Sequence, residues 1–167
     1  MTMQRRRLFT LAPVGAALAL AGCGASVSTA TVATLAADVD AVAGGLAAIV
    51  PQITSLAGLP PQTVASLNAA LAGVQSAAAK IKAANDPTGS ATVDAVKMFA
   101  GAVNAIVQAA AAIPIIPEPV HLGLLAASVL LPVIEGLAGI VAAPAGPGAM
   151  PPDAARLILV GLAQGAR

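Results

Sequence analysis

The sequence predicts an all-α protein, an antiparallel up-down four-helix bundle with a short extra C-terminal helix. Three observations carry that expectation. Three separate segments repeat one apolar spacing, the chain from residue 23 onward packs almost entirely with Ala, Val, Leu and Ile, and prolines fall between the repeating segments. In the first segment Val32, Leu35, Val39, Val42, Leu46 and Ile49 are spaced 3, 4, 3, 4 and 3. Val64, Leu67, Leu71, Val74, Ala78 and Ile81 repeat the series, as do Val96, Phe99, Val103, Ile106, Ala110 and Ile113. A period of 3.5 is the seam of helices packed nearly parallel or antiparallel, whereas a strand would alternate every second residue.

Each helix is bounded by recognisable residues. The first carries Gly44-Gly45, a weakness worth about 1 kcal/mol per glycine relative to alanine, and Pro51 ends or kinks it. Pro60-Pro61 opens the second, where a missing N–H costs little. Its Asn68, Gln75 and Lys82 fall one heptad apart, away from the apolar seam. Asn85-Asp86-Pro87-Thr88-Gly89 reads as a turn. Ser90 is placed to cap the third helix, with Asp94 near its positive end. Asp94 and Gln108 share a stripe there, beside Lys97 and Asn104. Pro114 to Pro119 breaks the chain, and a fourth helix is expected over 120–143, bent at Pro132. Residues 143–152 form a Pro/Gly-rich linker before a last helix over 153–163. Four helices of about 20 to 25 residues, joined by short connections, favour up-down order.

The N-terminus has a different organisation. Met1 to Arg7 holds three arginines and no acid, Leu8 to Leu20 is almost wholly apolar, and Ala21-Gly22 precedes Cys23, the only cysteine. A basic start, a short apolar core and small residues at a cut describe an N-terminal signal helix. The uncharged run from Leu8 to Gly22 spans about 22 Å as a helix, short of a bilayer core of about 30 Å.

Leu20-Ala21-Gly22-Cys23 resembles the lipobox of bacterial lipoproteins. The resemblance covers about the first 25 residues. It implies cleavage between Gly22 and Cys23, a diacylglyceryl group on the Cys23 thiol, and an exported protein moored to a membrane by that lipid. In Gram-negative lipoproteins an Asp after the lipid-bearing Cys tends to retain the protein at the inner membrane. Gly24 stands there, so the resemblance implies the periplasmic side of the outer membrane if the host has one. Arg6-Arg7-Leu8-Phe9 also resembles a twin-arginine export signal, with Thr10 and Leu11 where Leu and Lys are common; it equally fits a general basic start. The organisation expected is a signal peptide over 1–22, a tether over 23–31, a helical bundle over 32–143, and a linker with a short helix over 144–167.

Composition bounds the function. From Cys23 onward five basic side chains face seven acidic ones, a net charge of −2, so no basic patch for nucleic acid exists. This part has no Trp or Tyr and a single Phe, Phe99, which argues against base stacking or a carbohydrate platform. With Cys23 acylated no disulfide framework remains.

Candidate chemical residues are few. His121 is the only histidine; it stands three residues after Glu118, and a metal site needs three or more ligands, so no metal is expected. No Ser/His/Asp constellation is available beyond it. Glu135 reads either as a buried acid with a raised pKa or as a side chain facing solvent or pairing with Lys97 or Arg156. Asp38 and Asp40 read as solvated. The expected role is a non-catalytic, lipid-anchored envelope lipoprotein without cofactor. It acts as a structural or interaction module, with an envelope protein or a second copy as partner. The competing expectation is a membrane-active protein, such as a phage-type lysis lipoprotein. Met98 to Pro117 holds no charge and His121 to Ala143 only one acid, so helices over 98–143 would insert in the bilayer.

Overall fold

The computed structural model describes residues 29–56, 58–140 and 150–165. The described residues form five helices and no strand: α1 (Thr29–Thr54), α2 (Pro61–Ala83), α3 (Ser90–Ala111), α4 (Glu118–Leu137) and α5 (Pro152–Gly165). The expected signal helix, Gly22 and Cys23 lie outside the described residues. Helix α1 is already formed at Thr29, so residues 29–31 of the stretch read as tether are helical.

The helices bury most of the repeated seams, with Val32, Val64, Leu71 and Ile113 half-buried. Leu35, Val39, Val42, Leu46 and Ile49 of α1 are buried, as are Leu67, Val74, Ala78 and Ile81 of α2. In α3 the buried set is Val96, Phe99, Val103, Ile106 and Ala110. Asn68, Gln75, Lys82, Asn104 and Gln108 are exposed, so the amphipathic pattern and the burial agree. Helix α1 packs against α2, α4 and α5; α2 packs against α3, α3 against α4, and α4 against α5.

Of the two outcomes expected at Pro51, an end or a kink, the helix does not end there, and two other expectations about helix ends differ from the structure. Helix α1 continues one turn past Pro51, whose carbonyl accepts the Ser55 N–H at 3.0 Å. Only the N–H of a proline is missing; its carbonyl still serves the turn that follows. Helix α4 ends at Leu137 rather than Ala143. Gly139 adopts φ +75°, the Ile140 N–H donates to the Glu135 carbonyl at 2.9 Å, and the Gly139 N–H donates to Gly136 at 3.1 Å. That pair of bonds is a Schellman stop, which a left-handed glycine makes cheap.

Ser90 does not cap α3. The N-cap is Gly89, with no side-chain cap bond. The preceding turn does the anchoring instead. Asp86 Oδ1 accepts the Thr88 N–H and the Thr88 hydroxyl, each at 2.9 Å, and the buried Thr92 hydroxyl donates to the Asp86 carbonyl at 2.6 Å. The Thr88 N–H, followed by its hydroxyl, holds the Asp86 carboxyl below the usual carboxylate range. A depressed folded-state pKa contributes stability that is present above the unfolded value, near 3.9, and lost as pH falls through the folded value. Asp86→Asn is therefore expected to narrow the loss of stability between pH 5 and pH 2. Urea midpoints of both proteins across that range check it; parallel curves would contradict it.

Gly44-Gly45, a weakness for α1 alone, marks a close helix contact. A methyl group at Gly45 would lie 2.5 Å from Leu159 Cδ2 and 3.3 Å from the Leu159 backbone. One at Gly44 would lie 3.3 Å from Ala163 Cβ. The missing side chains let α5 lie against α1. Gly101 in α3 has no atom near its would-be methyl group. Gly101→Ala is expected to stabilise by up to about 1 kcal/mol through helix propensity. Gly45→Ala should destabilise by about 1–3 kcal/mol through overpacking. Opposite shifts in thermal midpoint are the outcome to look for.

Candidate functional site

The sequence-predicted residues do not converge. His121 is exposed and borders a small cavity, about 180 Å³, lined by Val107, Ala111, Ile116, Leu124, Leu125 and Ser128. Glu118 borders a different groove, so the structure does not join these two residues in one site. Among the described residues no group of three or more His, Cys, Asp or Glu is placed to hold a metal ion. Glu135 is half-buried, and Arg156 is committed to other partners. Asp40 is exposed, as expected, and meets Lys82 at 2.8 Å.

Asp38 overturns the expectation of a solvated side chain: it is 0 % exposed. Its Oδ1 accepts from Arg156 Nε at 2.6 Å and Nη2 at 2.5 Å. This two-pronged grip on one oxygen joins α1 to α5, 118 positions apart in sequence. The other oxygen, Oδ2, is buried with no hydrogen-bond partner. Arg156 Nη1 reaches Asp153 Oδ1 at 3.4 Å, an exposed contact worth little by itself.

The signal for this site was present but easily passed over. Asp38, Ala41, Gly45 and Ala48 recur at intervals of 3, 4 and 3 beside the main seam, and all four are buried. This second stripe, of small residues headed by an acid, admits a closely packed helix. Helix α5 fills that place with Leu159 and Ala155, both fully buried.

Apolar surface gathers where α4 and α5 meet. A groove of about 350 Å³ runs between Glu118, Pro119 and Leu122 on α4 and Leu157, Ile158 and Gly161 on α5. Leu157 is 74 % exposed, and Leu122, which lines the same groove, is exposed as well. Three helical stretches, Ala30–Thr54, Ser90–Ala111 and Glu118–Leu137, are long and apolar enough to cross a membrane by length and composition. The chain matches no protein-family model, no curated protein and no solved structure.

Proposed function

We propose that this chain is an exported lipoprotein, cleaved between Gly22 and Cys23, lipidated at Cys23 and held at the envelope surface. Its body is an antiparallel up-down four-helix bundle with α5 as the short extra helix. It acts as a non-catalytic structural or interaction module. The supporting observation is that a packed helix is already in place at Thr29, six residues after Cys23, with its seam buried from Leu35 onward. A tether that short keeps the body within about 20 Å of an acylated Cys23. The cycle of contacts α1–α2–α3–α4–α1 fits the up-down order. The anchor raises the effective concentration of the module for a partner on the same surface.

Cys23→Ser is expected to move the protein from the membrane pellet to the buffer-soluble fraction, because two or more acyl chains supply the durable attachment. A second reading draws on the hydropathy of α3 and α4: the helices over 98–143 enter the bilayer and the protein is membrane-active. Against it, α3 buries Val96, Phe99, Val103 and Ile106 and α4 buries Val120, Leu124, Leu130 and Ile134 inside the body. Retention of Cys23→Ser in carbonate-washed membranes would favour the second reading over the first.

A further inference from the structure

We infer that the groove between α1 and α4 is a receptor for a short amphipathic helix, and that α5 is its resident intramolecular ligand. The class of partner it fits is a helix presenting an arginine, a leucine three residues later and a small residue four beyond that. In this chain those positions are Arg156, Leu159 and Ala163.

Three independent features support it. The other four helices close a cycle of contacts without α5, which touches only α1 and α4 beyond marginal contact. The groove is cut for a helix by glycines on both walls. A methyl group at Gly45 would strike Leu159, and one at Gly123 on α4 would strike Ile49 and come within 2.7 Å of Leu162 Cδ1. At one end of the groove lies a recognition group. Asp38 is a fully buried carboxylate that takes a guanidinium with one oxygen and keeps a second, unpartnered oxygen beside it.

Apolar fit in the slot gives affinity, and the buried acid sets register and selects arginine. An arginine suits this task better than a lysine because its planar fork delivers two N–H groups at once. Helix α5 fully buries Ala155 and Leu159, with Ile158, Val160 and Leu162 partly buried against the core. Residues 138–151 join it to α4. A partner helix with the same pattern therefore competes for the slot and releases α5.

The inference supplies a partner class for the interaction-module reading and rests on that reading only for its cellular setting. Its test does not depend on lipid at Cys23. The full chain, with a protease site in place of residues 145–148, is purified, cut, and mixed with a fluorescent peptide of residues 150–167. The native peptide is expected to replace α5 while the helical circular-dichroism signal of the body persists. Peptides with Arg156→Gln or Leu159→Ala are expected to bind at least tenfold more weakly, and one with Asp153→Asn to bind as the native peptide does. In a chain carrying Asp38→Asn the preference for Arg156 over Gln should disappear; the peptide series decides alone if that chain does not fold. Failure of the native peptide to exchange, equal binding of the Arg156→Gln peptide, or collapse of the body when α5 leaves would each overturn the inference.

Discussion

Arg156→Ala is expected to destabilise the protein by about 3 kcal/mol. Removing one partner of a buried ion pair leaves the other charge without compensation, an effect of about 3–5 kcal/mol. The lower end applies because the Arg156 side chain is itself 34 % exposed, so water supplies part of the screening. Asp38 would then be buried with neither oxygen bonded, since Oδ2 already has no partner. The double replacement Asp38→Leu with Arg156→Met should recover most of the loss, because an apolar pair of similar volume needs no desolvation of charge. Urea unfolding of the three proteins at pH 7 decides. Equal midpoints for the wild type and Arg156→Ala would mean that the pair contributes nothing to holding α5.

Phe99→Ala is expected to cost about 3–5 kcal/mol, the range for emptying a large aromatic site in a packed core. Phe99 is 0 % exposed and lies among side chains that are almost all aliphatic. Given a typical total of about 5–15 kcal/mol, the loss takes a large share of the stability of the body. The adjacent Met98, 49 % exposed, is the control: Met98→Ala should fall within about 0.5 kcal/mol of wild type. Thermal or urea midpoints that place the two variants together would contradict the assignment of the α3 seam.

The seams were legible because period alone identifies them. Leu35, Leu67 and Phe99 sit at matching places in three independent 3-4-3-4-3 series, and all three are buried. Helix ends were less legible, because several local devices compete for each. Ser90 suggested a cap, but the turn at Asp86, completed by Thr88 and Thr92, had already fixed the start of α3. Helix α4 stopped at Gly139, one of several glycines in an Ala-rich stretch, and only a left-handed φ distinguishes it. The burial of Asp38 is not legible, because an acid on a helix is ordinarily solvated. Its partner lies in the last helix, and no local spacing connects position 38 to position 156. Gly44-Gly45 was read as a helix weakness for the same reason: its benefit appears only when α5 lies over it. Which of the few candidate side chains meet was not legible: His121 and Glu118, three residues apart, border separate grooves.

The lipid-anchored reading depends on what happens at Cys23. The most direct measurement is mass spectrometry of the N-terminal peptide of the protein recovered from bacterial membranes. The account predicts a peptide that starts at Cys23 and carries a diacylglyceryl group. A free Cys23 thiol with residues 1–22 still attached would contradict it.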